Sequence, residues 1–226
     1  MINKKEKKNL VLYGDSDYAE LIKYYFESDS EYKVVGFCVD KRYRTREIRS
    51  GLPVVDFEEL KKYFPKKNNA LFTAVGYKNM RAKKIMYERA SASGYSIATY
   101  ISKSATIDSS NKIGENCMIL PGCILEPFSS VESNTFLNTG ATVCHHSTIG
   151  SHSFMAACSL VGGYSYVGEN SFIGFQATVL QRLKLAPETL IGAGSIMMCN
   201  STQSTMYVGT PAKAIKSHHD RGIEII

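Results

Sequence analysis

Apolar residues recur at every sixth position from Ile101 to Met197, and this register contains no polar residue and no break. The residues two places earlier are mostly small, as at Cys117, Ala141 and Ser153. Residues two apart share one face of an extended strand, so each repeat offers one large and one small inward side chain. The pattern predicts a parallel β-helix with one short strand per repeat, three strands per coil and about 18 residues per coil.

A sandwich of evenly spaced strands is the alternative, but it would require longer turns and slips of register. Gly or an acidic residue follows many of the large apolar residues, as at Gly114, Glu126 and Gly174. We expect the chain to bend at these positions. Residues 18 apart in the sequence should then lie side by side on successive coils.

Before the repeat, the pattern changes to alternating short apolar strands and amphipathic helices. Strands are predicted at 9–13, 32–39 and 70–75, and helices at 18–26, 56–63 and 79–93, the last closed by Gly94. This order predicts a small parallel sheet with helices on its faces, a Rossmann-like α/β domain. Because no linker precedes the repeat, we predict an α/β domain at 1–98 and a β-helix with a C-terminal tail at 99–226.

The chain has 226 residues, 44% hydrophobic and 21% charged, with neither an apolar run long enough to span a membrane nor a secretory signal. We therefore expect a cytoplasmic protein. Six cysteines without CxxC spacing indicate reduced structural thiols. The net charge of +6 includes basic clusters at 4–8 and 41–49. These clusters suit anionic small molecules or a solvated surface, whereas the helix-borne basic stripe typical of nucleic-acid binding is missing.

The Gly14 turn joins the first strand to the first helix, where free amides and the helix dipole favour a phosphate. The turn lacks the second and third glycines of a dinucleotide fingerprint, and Asp15 and Asp17 repel phosphate unless another donor intervenes. A plain turn capped by Ser16 or Asp17 is the alternative. Asp40 follows the second strand, where a carboxylate binds ribose hydroxyls in such folds or simply lies exposed.

The repeat register turns His145 and His146 outward, because Val143 and Ser147 point inward. Gly163 follows His145 by one coil, so a bare backbone amide should lie beside an exposed imidazole. A base next to an amide donor is what acyl transfer requires, since the imidazole takes the nucleophile's proton and the amide stabilises the oxyanion.

Two other chemistries are open for this region. His145, His146 and His152 could bind zinc, but His146 and His152 belong to different faces of the prism and would meet only across a subunit interface. Cys144 could act as a nucleophile, although the sequence shows no activating group beside it.

The hexapeptide repeat, the segment NTGATVCHHSTIG at 138–150 and the ending VGTPAK at 208–213 resemble the left-handed β-helix acetyltransferases. With the α/β domain ahead of the repeat, the chain is similar to the bacterial nucleotide-linked amino-sugar N-acetyltransferases and the sialic-acid O-acetyltransferase-like proteins. The resemblance covers nearly the whole chain.

The resemblance implies that His145 is the general base, that Asn138 contacts the substrate or the base, and that Gly163 serves the oxyanion. His146 stands where the family has an acidic residue that orients the base, and Phe154 stands where it usually has a second histidine. The acetyl-CoA groove is implied at Gly163, Gly174, Ala193, Val208, Gly209, Pro211 and Lys213. The nucleotide-sugar site is implied at Gly14, Asp15, Ser16, Asp40, Lys41, Gly76, Tyr77 and Lys78.

From this resemblance we expect a homotrimer that transfers acetyl from acetyl-CoA to the amino group of a nucleotide-linked aminodeoxy sugar, without a metal, in surface-glycan synthesis. Because a single prism has flat outer faces, a groove for the pantetheine arm needs a second subunit. The alternatives are a sugar O-acetyltransferase, a zinc-dependent β-helix hydratase and a non-catalytic nucleotide-sugar-binding module.

Overall fold

The computed structural model describes residues 7–225, so most of the basic cluster at 4–8 lies outside the described residues. The chain forms two compact units. The first contains the residues up to Gly76 and Met86–Tyr100, and the second contains Tyr77–Ile85 and the chain from Ile101 onward. The predicted boundary at 98/99 places Tyr77–Ile85 in the first domain, whereas the structure groups this segment with the second unit.

The first unit contains a sheet in the order β3-β4-β2-β1-β5-β6, in which only β3 runs antiparallel to its neighbour. Its strands are β1 (Lys8–Tyr13), β2 (Tyr32–Val39), β3 (Ile48–Arg49), β4 (Leu52–Asp56), β5 (Asn69–Thr73) and β6 (Ser96–Ile97). The α-helices are α1 (Asp17–Asp29), α2 (Leu60–Tyr63) and α3 (Met80–Ala92), of which residues 80–85 belong to the second unit. Short 3₁₀ turns occur at Lys41–Tyr43, Phe57–Glu59 and Lys66–Asn68. The predicted α/β fold is confirmed. The short strands β3, β4 and β6 were not predicted.

The second unit is a parallel β-helix in which each strand pairs with the strand one coil later, as in Met118↔Phe136 and Thr142↔Leu160. Its first sheet contains Tyr100–Ile101, Met118–Ile119, Phe136–Leu137, Phe154–Met155, Phe172–Ile173 and Leu190–Ile191. The second contains Thr106–Ile107, Ile124–Leu125, Thr142–Val143, Leu160–Val161, Thr178–Val179 and Ile196–Met197, and the third Lys112–Ile113, Ser130–Val131, Thr148–Ile149, Tyr166–Val167 and Lys184–Leu185. The predicted left-handed β-helix is confirmed.

The large inward residues form one continuous core from Ile119 to Met197, while Ile107 and Ile113 in the first coil are only partly buried. After Met197 the chain adds a hairpin of Thr205–Gly209 and Ala212–Ser217, whose first strand runs parallel to Leu190–Ile191. Among residues 7–225, no helix is long and apolar enough to cross a membrane.

The bends between strands lie three residues after each large inward residue, where the backbone has φ between 54° and 72° at every sixth position from Asn116 to Gly194. We predicted bends directly after the large residue, and that prediction is wrong. Glycine there instead permits close approach of the next coil, since a Cβ on Gly174 would lie 2.6 Å from the Ala193 amide nitrogen. We call the bends after the first, second and third sheets the first, second and third corners.

The outward side chains of the first sheet form a buried apolar ladder that includes Phe136, Phe154 and Phe172. Phe154 and Phe172 stack with their ring planes 7° apart, and the Tyr77 ring lies 4.5 Å from that of Phe154. Lys83 reaches the same surface, with its Nζ 4.8 Å from the Phe136 ring centre. Tyr77–Ile85 thereby covers a face of the β-helix that would otherwise expose aromatic rings.

The third corner is a buried polar column of Asn116, Asn134, His152, Asn170 and Glu188. Asn116 Nδ2 donates to Asn134 Oδ1 at 2.9 Å, and Asn134 Nδ2 lies 3.0 Å from His152 Nδ1. Lys83 Nζ donates to the backbone carbonyls of Asn134 and His152. Asn116, Asn134 and His152 are thus bonded to one another, whereas the buried Asn170 Oδ1 has no hydrogen-bond partner among the described residues.

Candidate active site

His145 lies in the second corner directly beside Gly163, as the sequence predicts. Its side chain is exposed, and a Cβ built on Gly163 would lie 2.8 Å from His145 Cε1 and 2.9 Å from Nε2. The imidazole therefore packs against the bare α-carbon of Gly163, and any larger residue there would push it away.

Glu126 fixes the backbone at His145 from the preceding coil. Its Oε2 accepts a hydrogen bond from the His145 backbone N–H at 2.8 Å. Glu132 does the same for Ser151 one corner later, at 2.9 Å. A carboxylate therefore satisfies the corner amide in both places, and charge makes these bonds stronger than neutral ones.

The Gly163 amide is different, because its N–H donates to no group within the described part of the chain. Its carbonyl is used, since it accepts the Arg182 N–H at 2.9 Å. The Gly163 N–H is thus a free donor close to an exposed imidazole. This pair can bind an oxygen that gains negative charge while the imidazole removes a proton.

His146 lies next to His145 and within a column of side chains along the second corner. Its Nδ1 is 3.2 Å from His145 Nδ1. The His146 ring stacks on Tyr164, with ring centres 4.7 Å apart and planes at 14°, and the Phe128 ring lies 4.9 Å away on the other side. Arg182 continues the column, with its guanidinium 4.8 Å from the Tyr164 ring centre.

A shallow groove of about 460 Å³ runs past His145 and is lined by Glu126, Cys144, His145, Leu160, Gly163 and Thr178 among others. Burial, together with the neighbouring Glu126 carboxylate, raises the pKa of the Cys144 thiol. A raised pKa disfavours the thiolate, so Cys144 is poorly suited to act as the nucleophile.

His152 is buried in the third corner, where its ring bonds to Asn134, whereas His145 and His146 are exposed in the second corner. Throughout residues 7–225, no three His, Cys, Asp or Glu side chains are placed to hold a metal ion. The three histidines of the zinc alternative are therefore not gathered at one point of this chain.

The residues implied for the acetyl-CoA groove lie along the first corner, apart from Gly163. Gly174 and Ala193 are on successive coils there, and Gly209 N–H donates to Ser195 Oγ at 3.0 Å. Asn138 belongs to the same corner, two coils before Gly174, and its side chain makes no hydrogen bond to another described residue. The structure thus groups Asn138 with the implied cofactor residues and not with His145.

The implied segment 208–213 forms the turn of the C-terminal hairpin, in which Val208 pairs with Lys213. A Cβ on Gly192 would lie 2.7 Å from Val208 Cγ1, which places the hairpin against the first corner. Gly209, Pro211 and Lys213 are exposed. The exposed Lys213 therefore makes a cation available at the end of the row formed by Gly174 and Ala193.

In the first unit, the Gly14 turn connects β1 to α1. Gly14 has φ of 128°, and a Cβ there would lie 2.7 Å from the Ala74 carbonyl oxygen, so this position requires glycine. Ser16 is the N-cap of α1 but makes no side-chain capping bond. Asp15 lies 3.4 Å from Arg46, and Asp17 lies 2.6 Å from Arg49. The two arginines offset the acidic charge that would otherwise repel a phosphate.

Asp40 follows β2 and is buried. One carboxylate oxygen accepts the Tyr13 hydroxyl, and the other lies 2.7 Å from Arg89. Burial and the bond to Asp40 raise the pKa of the Tyr13 phenol. Asp40, exposed Lys41 and Arg89 line an open cavity of about 440 Å³. A ribose hydroxyl there would have to share the carboxylate with Tyr13 and Arg89.

The implied trio Gly76, Tyr77 and Lys78 is divided between the two units. Gly76 belongs to the first unit, where a Cβ would lie 3.5 Å from the Tyr18 ring. Tyr77 belongs to the second unit and packs on the aromatic ladder, while Lys78 is exposed and its carbonyl accepts the Ile225 N–H. Phe154, at the position of the family's second histidine, is buried in that ladder and offers no polar group.

Sequence reasoning missed Glu126, Phe128, Tyr164 and Arg182 around His145 and His146, and Arg46 and Arg49 beside the Gly14 turn. The first four have a signal in the sequence, because 128, 146, 164 and 182 are 18 residues apart and Glu126 is 18 residues before Cys144. The arginines have none, since their contacts depend on how the segment after β2 folds back.

Comparison with known proteins agrees with this architecture. Residues 9–90 match the family model of the PglD N-terminal domain. The acetyltransferase domain of PglB from Neisseria gonorrhoeae FA1090 is 22% identical, covers 92% of this chain and 100% of its own, and superposes with a TM-score of 0.82. A structure of that domain contains acetyl coenzyme A and gives a TM-score of 0.81.

A histidine-to-alanine mutant of GDP-perosamine N-acetyltransferase from Caulobacter crescentus, in complex with CoA and GDP-perosamine, is also similar. It is 24% identical, covers 92% of this chain and 97% of its own, and has a TM-score of 0.83. The predicted resemblance to left-handed β-helix acetyltransferases is thus confirmed at the level of the fold.

Proposed function

We propose that this protein transfers acetyl from acetyl-CoA to the amino group of a nucleotide-linked aminodeoxy sugar in surface-glycan synthesis. The observation that carries the proposal is the exposed His145 imidazole packed against Gly163, whose N–H is free, in an open groove. The structural neighbours that act on GDP-perosamine or bind acetyl coenzyme A support it.

The reaction proceeds by direct transfer. His145 removes a proton from the acceptor amine as its nitrogen attacks the thioester carbonyl, and the Gly163 N–H donates to the resulting oxyanion. The C–S bond then breaks, CoA leaves as the thiolate and the proton held by His145 becomes available to it. Binding both substrates in one groove makes this step effectively unimolecular. Neither an acyl-enzyme nor a metal is required.

In this proposal acetyl-CoA binds along Gly174, Ala193 and the segment 208–213, with Lys213 near a phosphate. The nucleotide lies at the carboxyl edge of the first unit's parallel strands, near Gly14, Asp40, Lys41 and Gly76. Binding at such an edge is the rule for open α/β sheets. Arg46 and Arg49 supply the positive charge that the sequence of the turn lacks.

The proposed active enzyme is a homotrimer. His145 and Gly163 lie in the second corner, whereas Gly174 and Ala193 lie in the first corner, at the far end of the intervening strands. If the first corner of one copy met the second corner of another, one groove would contain Gly174 and Ala193 from the first copy and His145 and Gly163 from the second. Rotational symmetry would then generate identical sites.

The test of function is thiol release from acetyl-CoA, measured across nucleotide-linked 3- and 4-amino sugars and their hydroxyl analogues. We expect release only with an amine acceptor, and acetyl on nitrogen in the product. Release with hydroxyl acceptors alone would establish O-acetylation. Binding without release would indicate a non-catalytic module, and stoichiometric zinc in the purified protein would indicate the hydratase.

The test of the shared site is complementation between two inactive variants, His145→Ala and Ala193→Trp. Ala193 is exposed, so the indole fills the groove and not the core. Mixed trimers contain interfaces in which an intact His145 faces an intact Ala193, and we expect activity to reappear when the chains are refolded together. If each copy contained a complete site, mixing would restore nothing.

A further inference from the structure

We infer that His146 is a positioning residue that holds the base His145 in its productive tautomer, in the place where a carboxylate is implied. The inference rests on the proposed function, because it assigns His146 a role in that reaction. It resolves a difficulty in the sequence, which offers no acidic residue directly after the base.

The contact between the rings constrains where protons lie. His145 Nδ1 and His146 Nδ1 are 3.2 Å apart, so one nitrogen donates and the other accepts. If His145 donates its Nδ1–H, its Nε2 carries a lone pair and can remove the amine proton. If His146 donates, neutral His145 carries its proton on Nε2 and cannot serve as a base. The productive pair is therefore a neutral His146 that accepts through Nδ1.

His146 is held for this task from both faces. The Tyr164 ring stacks on one face at 4.7 Å between centres, and Phe128 lies 4.9 Å away on the other. Rotation of the imidazole about its Cβ–Cγ bond would break the near-parallel stack with Tyr164, in which the planes differ by only 14°. The Arg182 guanidinium over Tyr164 closes the far end of the column.

The pair must also be free of any added proton. A proton on His145 Nε2 occupies the base directly, and a doubly protonated His146 donates to His145 Nδ1 and leaves the wrong tautomer. The ionisable groups facing the pair are Cys144, Tyr164 and Glu126, which accepts the His145 N–H. Arg182 lies two coils after the pair, over the Tyr164 ring. The proposed reaction therefore requires both rings to be neutral.

The experiment compares His146→Ala and His146→Glu with the unmodified protein. The alanine variant should lower kcat about 10- to 100-fold with little change in KM, because general-base catalysis contributes about 10²- to 10⁴-fold and part of it is lost. The glutamate variant should stay within about threefold of full activity. Its acid limb should move to higher pH, because an anion beside His145 stabilises the imidazolium.

A second measurement does not depend on activity. Nitrogen-15 NMR of the ring nitrogens should show His145 protonated at Nδ1 in the unmodified protein above the acid limb, and a shift toward the Nε2–H form in His146→Ala. His219→Ala is the matched control, because His219 is exposed in the C-terminal tail and should change neither readout. Phe128→Ala should lower kcat only when His146 is present, since the Phe128 ring contacts His146 with its centre 4.9 Å away.

The outcomes separate the two proposals. Full kcat and an unchanged His145 tautomer in His146→Ala, alongside an inactive His145→Ala, would overturn the role of His146 and leave acetyl transfer intact. If no variant transfers acetyl, the proposed function fails, while the NMR result still decides whether His146 sets the tautomer. If His146→Ala does not fold, an unshifted acid limb in His146→Glu overturns the inference.

Discussion

His146 and His152 occupy the same slot of the repeat, six residues apart, and have nearly the same backbone, with φ of 58° and 63°. Each has its Nδ1 within hydrogen-bond distance of a neighbouring side chain. Yet His146 is exposed in an aromatic column beside the proposed base, and His152 is buried in an amide column beneath Lys83. The repeat therefore sets the backbone of a corner, while the segment that covers the corner decides whether its side chains do chemistry or hold the fold.

The largest expected effect separates the two corners by function. His145→Ala should reduce thiol release about 10²- to 10⁴-fold, because it removes the general base. Its melting temperature should hardly change, since the side chain is exposed. His152→Ala should do the reverse, because it opens a cavity and leaves the Asn134 amide short of a partner, at a cost of about 1–3 kcal/mol.

Thiol-release kinetics and thermal unfolding of the two variants provide the measurement. The comparison between the corners breaks down if His145→Ala keeps full turnover. It also breaks down if folded His152→Ala loses turnover as severely as His145→Ala does.

The second effect is a pH dependence of stability that belongs to the buried corner. Burial, with Lys83 and Lys84 nearby, lowers the pKa of His152 to about 4, and burial lowers the pKa of Lys83 to about 7. Both groups bind fewer protons when folded than when unfolded, so stability rises with pH across each interval. The His152 contribution is complete above about pH 6.5 and disappears as the pH falls to about 4.

We expect the free energy of unfolding in urea to fall by about 2 kcal/mol between pH 6.5 and 4, or roughly thirtyfold in the folding equilibrium. His152→Asn should flatten this interval, and Lys83→Met should flatten the rise from about pH 7 to 10. His146→Asn is the matched control, because it changes an exposed histidine in the same slot. If the free energy of unfolding of His152→Asn falls with pH as steeply as that of the unmodified protein, the buried corner does not set the acid sensitivity.

The sequence predicts the fold well because its signal is local and repeated. The apolar register places its residues from Ile119 to Met197 in the core, although Ile101 at its start is exposed. The spacing of 18 residues between His145 and Gly163 is enough to predict that they are neighbours. The bends are harder to predict from the sequence, because most corner residues with positive φ are not glycine, as at Phe128, Tyr164 and Arg182. These three residues are exposed, and ring and cation contacts with residues one coil away hold them in place, which is not a property of one position.

The rest of the site depends on contacts between distant segments. The Tyr77 ring packs on the aromatic ladder through a segment that the strand and helix pattern assigns to the first domain. Asp40 follows a strand as predicted, but its bonds to Tyr13 and Arg89 come from residues 27 and 49 positions away. The sequence around Asp40 does not indicate which distant residues bond to its carboxylate.

The third effect tests the close approach at Gly163. Gly163→Ala should lower kcat about tenfold, because the added methyl would lie 2.8 Å from His145 Cε1 and displace the ring from the oxyanion donor. The backbone there does not have positive φ, so the strain is confined to this contact. Gly51→Ala, whose methyl contacts nothing within 4 Å, should cost stability through its φ of 74° and leave kcat unchanged. An unaltered kcat in Gly163→Ala would mean that catalysis does not depend on the position of the His145 imidazole beside Gly163.

The smallest effect compares two carboxylates that do the same structural work in different corners. Glu126 accepts the His145 N–H at 2.8 Å, and Glu132 accepts the Ser151 N–H at 2.9 Å. Gln at either position can still accept the bond but without charge, so each variant should lose a similar amount of stability, about 0.5–1 kcal/mol. Only Glu126 also faces the base.

Glu126→Gln should therefore lower kcat about threefold, because its charge no longer stabilises the imidazolium that forms as His145 takes the proton. Glu132→Gln should leave kcat unchanged, because Ser151 belongs to the third corner and contacts no proposed substrate group. Steady-state thiol release and urea unfolding of both variants make the measurement. Equal kcat in the two variants would mean that Glu126 supports only the backbone of the corner, and the proposed role of His146 in setting the tautomer of His145 would then stand without a contribution from the Glu126 charge.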